Sequence, residues 1–96
     1  MEIPDSVLII ENRAFYGCSA LTHVVIGSGV TEVGEEAFFN CSLLESVLFK
    51  DATSWYSLRY SYVDFKPVSS KVEANVSDPA HNAYRFKHNK DALYKE

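Results

Sequence analysis

The sequence has few cysteines and no long apolar run, and both shortages exclude classes of protein. Cys18 and Cys41 are the only cysteines among 96 residues, too few for a dense disulfide framework and without the CxxC pairs of a zinc site. No stretch of 18 apolar residues is present, so no membrane-spanning helix and no membrane insertion is predicted. Met1 precedes Glu2 rather than a basic segment and an apolar core. We therefore expect any export signal to have been removed or to lie outside this sequence.

Motifs for catalysis and for metal or cofactor binding are missing as well. The sequence contains no GxSxG, GxGxxG or HExxH, and no histidine stands in sequence where it would be expected to activate a serine. His81 and His88 are seven residues apart on a predicted helix, too far to chelate one metal ion. His23 lies on a predicted strand, where we expect it to be exposed. The sequence predicts no enzyme, no cofactor and no metal site.

Positive charge is scarce in the first half of the chain. The net charge is −4, and residues 1–54 hold two basic against eight acidic residues, whereas residues 55–96 hold seven basic and five acidic. An acidic surface repels phosphate, so nucleic acid is not an expected partner. The basic residues of the second half form no cluster and are expected to be solvated.

A repeat of 23 residues organises the first half. When the sequence is shifted by 23 it matches itself at apolar and small positions, whereas the mismatches are mostly polar. Such a period is typical of stacked coils, because each coil buries the same positions against its neighbour. The matched pairs include Ala14 with Ala37, Phe15 with Phe38, Cys18 with Cys41, Leu21 with Leu44 and Val24 with Val47.

One repeat predicts an alternation of short elements. Leu21–Ile26 is a predicted strand, Val30–Val33 a second extended piece, and Glu35–Phe39 one helical turn with acidic residues at its start. Ala14 and Ala37 are expected at buried corners. Stacking of such coils builds a parallel sheet on one face. The two cysteines could form a redox pair or a disulfide, but parallel side chains favour two free, buried thiols.

The repeated core, Ala14-Phe15-Tyr16-Gly17-Cys18 and Ala37-Phe38-Phe39-Asn40-Cys41, resembles the BspA-type leucine-rich repeat, whose pattern is IPxSVTxIGxxAFxxCxxLxxVxI. The resemblance covers residues 3–49. It departs from the pattern at Glu11, where the family has the glycine that this chain shows at Gly34, so a wider corner is expected there. The resemblance implies a bacterial surface protein that adheres to or binds other proteins.

The period stops after Phe49, and residues 55–96 are predicted to form a capping module. Strands are predicted over Tyr60–Phe65, Lys71–Val76 and Ala92–Tyr94, with a helix that Ser77 or Asp78 caps and that runs to about His88. Trp55, the SDP-led helix and the aromatic final strand resemble the tails of several bacterial members. The predicted architecture is an α/β leucine-rich repeat solenoid of about two coils over residues 1–54. A small α+β cap, residues 55–96, packs on the last coil as part of one domain.

The first coil is incomplete in this sequence, because Ile3 aligns with Ile26. We expect either the C-terminal piece of a longer array or a small protein with an open N-terminal edge. Such an edge leaves backbone groups and apolar side chains unpaired. Self-association through Ile3 to Ile10 is therefore predicted.

Two surfaces are candidates for binding a protein partner. The first is the outward strand face, because side chains at outward positions of a solenoid do not pack in the core and can contact a partner. Its residues are Thr22, His23, Val25, Glu45, Ser46 and Leu48. The second is an aromatic stretch of residue types common at binding hot spots, namely Trp55, Tyr56, Arg59 and Tyr60, although packing of the cap onto the last coil is the favoured interpretation of these aromatics. The predicted function is a non-enzymatic interaction or adhesion module at the cell surface or secreted; the alternative is a purely structural cap.

Overall fold

The computed structural model describes residues 1–63, 66–88 and 91–96, and for residues 58–63 and 66–71 it describes the backbone alone. This part of the chain is a small α/β structure with two sheets and one helix. In chain order the elements are β1 (Glu2–Ile3), β2 (Ile9–Ile10), β3 (His23–Ile26), β4 (Glu32–Val33), β5 (Ser46–Phe49), β6 (Trp55–Val63), β7 (Lys66–Glu73), α1 (Pro79–His88) and β8 (Leu93–Lys95).

The first sheet, sheet A, is parallel and has the order β1-β3-β5. Its register follows the sequence period, because Ile3 pairs with Ile26 and Val24 pairs with Val47, 23 residues further on. Side chains alternate along β3 and β5, with Val24 and Val47 buried and His23 exposed. The β-branched residues thus lie where a half-buried strand favours them.

Equivalent side chains of the two repeats, residues 3–25 and 26–48, pack on one another. The rings of Phe15 and Phe38 stack with centroids 5.2 Å apart and planes 7° from parallel. Leu21 packs against the core that contains buried Leu44. The predicted superposition of Phe15 on Phe38 is therefore confirmed.

The corner after β4 is not the predicted helical turn. The N–H groups of Ala37, Phe39 and Cys41 each donate to the carbonyl three residues earlier. Glu36 and Asn40 have φ of 56° and 62°, in the left-handed region that a right-handed helix excludes. Their equivalents 23 residues earlier, Arg13 and Gly17, have φ of 58° and 68°, so the two repeats share a corner of consecutive turns.

Two expectations about buried small residues hold in the second repeat and are wrong in the first. Ala37 and Cys41 are buried, whereas Ala14 and Cys18 are exposed. The Cys41 thiol donates to the carbonyl of Phe15, 3.1 Å away, so the first repeat covers it. Both cysteines are free, as predicted. A repeated position is buried only where a neighbouring repeat packs over it. The 23-residue period identifies equivalent positions but does not show which of them are covered.

The departure at Glu11 has a steric explanation. A Cβ at residue 34 would lie 2.6 Å from the carbonyl carbon of Glu11, and closer still to the backbone nitrogen of Asn12. Gly34 is buried at this close approach, whereas Glu11 is exposed at the equivalent place. A side chain is therefore tolerated at residue 11 and not at residue 34.

The second sheet, sheet B, joins the repeats to the C-terminal segment in the order β2-β4-β8-β6-β7. β2 and β4 pair in parallel with the same 23-residue register, from Ile9 to Glu32. β8 then pairs antiparallel with both β4 and β6. The final strand therefore lies between a strand of the second repeat and the β6–β7 hairpin.

Helix α1 covers the far side of the second repeat. Asp78 caps its first turn, because its Oδ1 accepts from the N–H groups of Ala80 at 3.0 Å and His81 at 3.3 Å. Phe86 packs its ring 5.2 Å from that of Phe38 and 6.1 Å from that of Phe49. The predicted helix is confirmed, and Ala83 and Phe86 are buried on it.

The predicted hairpin strands have different limits in the structure. β6 begins at Trp55 instead of Tyr60, and β7 runs from Lys66 to Glu73 instead of Lys71 to Val76. Residues 64 and 65, where the predicted strand Tyr60–Phe65 ends, lie outside the described residues. The final strand is shifted by one residue, to Leu93–Lys95. Long-range pairing with β8 extends β6 toward Trp55.

Candidate functional site

The outward face of sheet A brings the first set of candidate residues together. His23 pairs with Ser46 and Val25 pairs with Leu48 across β3 and β5, while Thr22 and Glu45 directly precede these strands. All six side chains are exposed or half-buried, and Leu48 is 46% exposed. We call this surface the strand face. Its side chains are kept out of the core by the alternation of the two strands.

A hydrogen-bonded group occupies the start of the strand face. Nδ1 of His23 lies 2.6 Å from Oγ of Ser46, and Nε2 of His23 lies 3.5 Å from a carboxylate oxygen of Glu45. The backbone supports the arrangement, because the carbonyl of Thr22 accepts from the N–H of Glu45 at 2.7 Å. The three side chains are thereby held in one geometry on the surface.

The sequence shows no histidine placed to activate a serine, but the parallel register brings His23 against Ser46. A serine, an imidazole and a carboxylate are also the groups of a nucleophilic triad. The side chains of His23 and Glu45 are 63% and 71% exposed, however, so water screens the charges that such a triad depends on. The group fits a surface contact better than a hydrolytic site.

A charged cluster lies at the other end of the strand face. Nζ of Lys50 lies 3.1 Å from a carboxylate oxygen of Glu2 and 3.4 Å from one of Asp5. The Ser28 N–H and then Lys50 lower the pKa of Asp5, while Glu2 and Asp5 raise the pKa of Lys50. All three side chains are substantially exposed, so these ion pairs add little to the stability of the fold.

The second set of candidate residues is divided by the structure. Trp55 is buried against Phe49, with ring centroids 5.0 Å apart, and its Nε1 donates to the carbonyl of Asp51 at 2.8 Å. Tyr56 is half-buried beside Tyr94. The side chains of Arg59 and Tyr60 lie outside the described residues. Trp55 therefore packs the hairpin on the second repeat, as the favoured interpretation of these aromatics expects.

An apolar cavity of about 370 Å³ opens on the side of the first repeat away from α1. β1 and β2 are edge strands of their sheets there. Ile9 is 53% exposed and Phe15 is half-buried. We call this surface the N-terminal face; its lining residues are Met1, Glu2, Ile3, Pro4, Val7, Ile9, Ile10, Glu11, Ala14 and Phe15.

Groups that could hold a metal ion do not assemble in the part of the chain that the structure describes. No three His, Cys, Asp or Glu side chains converge there. His81 and His88 are exposed on α1, and the ring of His88 lies 4.7 Å from that of Tyr84. Both histidines therefore lie apart from the strand face.

The comparison with protein families identifies the family of the repeat. The model of the BspA type leucine rich repeat region (6 copies) matches residues 1–70. The chain belongs to the BspA-type leucine-rich repeat family. The match extends past the second repeat into β7, so it includes most of the β6–β7 hairpin. Neither the search of curated proteins nor the search of solved structures found a match.

Membership of the BspA-type family suggests a class of function. This family suggests protein-interaction or surface repeat modules, which are generally non-enzymatic and typically surface-associated. Among the described residues no helix has the length and apolar character needed to cross a bilayer.

Sequence reasoning missed two features of this BspA-type chain. Asn82 is fully buried and donates to the edge of sheet A; its position four residues before Phe86, on the same helix face, is the one sequence signal of this burial. The pairing of β8 with β4 brings Glu32 beside Tyr94. That contact joins residues 62 apart in sequence, and no local signal predicts it.

Proposed function

We propose that this BspA-type chain is a protein-interaction module of a surface protein and that the strand face contacts the partner. The observation that supports this most is the arrangement of His23, Ser46 and Glu45, three exposed polar side chains held in one geometry. A pre-ordered surface loses less conformational entropy on binding. The adjacent exposed Leu48 supplies apolar area that a partner can bury.

The test compares retention of proteins from an extracellular extract on the immobilised chain. Thr22→Glu combined with Ser46→Glu places two charges on the strand face and should abolish retention without lowering the unfolding temperature. The matched control is His81→Glu, on the exposed side of α1, and it should retain the same proteins. Equal retention by both variants would contradict a role for the strand face.

A structural role as an end cap is the second candidate, and the contacts of α1 favour it. The side chain of Asn82 donates to the carbonyl of Val47 on edge strand β5, and Phe86 covers Phe38 and Phe49. We propose that residues 1–54 form a solenoid of about two coils and that residues 55–96 form its capping module, within one domain. If strand-face substitutions leave binding unchanged, the structural role as an end cap is favoured over the role in binding.

We also propose self-association through the N-terminal face, around Ile3 to Ile10. Its exposed edge strands and apolar cavity support a contact with a second copy. Light scattering after size-exclusion chromatography should show a concentration-dependent dimer that Ile9→Lys abolishes. A monomer at all concentrations, with the wild-type residue present, would reject this contact.

A further inference from the structure

One cross-strand row on the outward side of sheet B combines acidic and aromatic side chains from four strands. The register places Glu32 opposite Tyr94, Tyr94 opposite Tyr56, and Tyr56 opposite Glu73. Ile9 lies opposite Glu32 on the fifth strand. The exposed or half-buried state of these residues contrasts with buried Val33, Leu93 and Ser57 in the adjacent row. The first row therefore faces outward.

The two tyrosines form the centre of this row, and a carboxylate lies on each side. The rings of Tyr56 and Tyr94 have centroids 6.1 Å apart and planes inclined by 30°. Adjacent strands are about 4.8 Å apart, so the row from Glu32 to Glu73 spans roughly 14 Å. Aromatic faces attract cations through their quadrupole, and carboxylates attract them by charge. The four side chains of this row therefore favour the same kind of ligand, a cation.

The nearest described cation does not neutralise the row. Lys95, next to Tyr94 in β8, pairs with Asp51 and has its Nζ 6.0 Å from the centroid of the Trp55 ring. It is thus engaged away from the tyrosine pair. Within the described side chains, neither Glu32 nor Glu73 forms an ion pair.

We propose that this row, Glu32–Tyr94–Tyr56–Glu73, binds a basic protein segment through its lysine or arginine side chains. Alternate residues of an extended segment lie about 7 Å apart, so two cationic side chains of one segment fit within the length of the row. The exposed side chain of Ile9, 53% exposed, extends the row with an apolar contact for the methylene stem of such a side chain. This surface is on sheet B, so the proposal stands independently of the strand face.

The experiment is an NMR titration of the full chain with a blocked Arg-Gly-Arg-Gly-Arg peptide. Saturable amide shifts are expected at Glu32, Tyr56, Glu73 and Tyr94, and binding should weaken as sodium chloride is added. Glu32→Gln combined with Glu73→Gln should raise the dissociation constant about tenfold, the sum of two exposed ion pairs. The matched control, Glu35→Gln at an exposed carboxylate in the corner after β4, should change it by less than about twofold.

Two variants of Tyr94 separate the role of its ring from a general loss of structure. Tyr94→Phe keeps the aromatic face and should bind as the wild type does. Tyr94→Leu removes the face and should weaken binding about threefold to fivefold, the worth of one exposed cation–π contact. Amide spectra of both variants should retain the sheet B pattern.

Three results would overturn the proposal. One is the lack of saturable shifts at peptide concentrations up to about 10 mM. Another is equal weakening by Glu35→Gln and by the double variant. The last is a stronger effect of a neutral hexasaccharide on the same amides, which would assign the tyrosine pair to sugar stacking.

Discussion

Asn82 provides a hydrogen-bond donor to the edge strand of sheet A. Its Nδ2 donates to the carbonyls of Val47 at 2.8 Å and Val76 at 2.7 Å, and the residue is fully buried. Val47 lies on β5, the last strand of the parallel sheet. A single side chain thus satisfies an edge carbonyl that would otherwise remain unpaired in the interior.

Asn82→Leu should be strongly destabilising for this reason. It leaves two buried carbonyls without a donor, at about 1–3 kcal/mol for each unsatisfied group. Urea unfolding should therefore show a loss of about 2–5 kcal/mol. His81→Leu, one residue earlier on the exposed side of α1, is the control and should change stability by no more than about 0.5 kcal/mol. Similar losses in both variants would contradict the role of Asn82.

The two cysteines should differ in reactivity. Cys18 is exposed, whereas Cys41 is buried and desolvation raises the pKa of its thiol. Because the thiolate is the reactive form, a disulfide reagent should label one thiol per folded chain quickly and the second only after unfolding. Cys18→Ser should abolish the fast reaction. Two fast thiols, or none, would contradict the observed burial.

Asp51 gives a pH dependence with a definite sign. Lys95, and then Thr53, hold the pKa of the Asp51 carboxyl well below its ordinary value of 3.8. Its contribution to stability is therefore present above pH 3.8 and is lost as the pH falls toward the folded-state value.

The matching variant is Asp51→Asn. Thermal unfolding should show it less stable than the wild type at pH 7, with the difference shrinking steadily below about pH 4. Glu35→Gln, at an exposed carboxylate, should show no comparable change. A constant difference between Asp51→Asn and the wild type down to pH 2 would show that the charge of Asp51 is irrelevant.

Among the local elements, the corner at Gly34 differs most clearly between the two repeats. Gly34 lies against the backbone of Glu11 and Asn12, so Gly34→Ala forces a steric overlap that should cost about 1–3 kcal/mol. Glu11→Ala makes the same side chain 23 residues earlier, at an exposed position, and should be nearly neutral. Chemical denaturation of both variants checks this. Equal stability of the two would contradict the close approach.

Elements whose limits are set by neighbouring residues in the sequence could be predicted. Elements whose limits are set by pairing with a distant strand could not. The helix was predictable because Asp78 and Pro79 mark its start locally. The predicted helical turn at Glu35–Phe39 is wrong because Glu36 has left-handed φ, which is uncommon for glutamate; Asn40 also has it, and asparagine is a residue type in which it is enriched. The limits of β6 and β7 depend on β8, which reaches them from the other end of the segment.

The candidate surfaces divide in the same way. The strand face could be predicted, because the 23-residue period and the two-residue alternation of a strand together place His23, Val25 and Leu48 outward. The hydrogen bond between His23 and Ser46 required the register itself. The sequence allows Trp55 either a binding role at the surface or a packing role. Its contact with Phe49, which the sequence does not show, establishes the packing role.

At the scale of the whole molecule, two sheets share one 23-residue register and the C-terminal segment extends the second of them. β1-β3-β5 and β2-β4 both follow that period, while β8 joins β4 to the hairpin. The buried side chains of both repeats and of the segment form one cluster. We therefore expect unfolding of the chain in a single cooperative step.

Long-range nuclear Overhauser effects across β3 and β5 test this stacking most directly. The structure predicts contacts between residues 23 apart, His23 with Ser46, Val24 with Val47, Val25 with Leu48 and Ile26 with Phe49, together with Phe15 ring contacts to Phe38. Methyl and backbone spectra of labelled protein would show them in one experiment. Contacts at another offset, or Phe15 and Phe38 without a mutual contact, would contradict the stacked register.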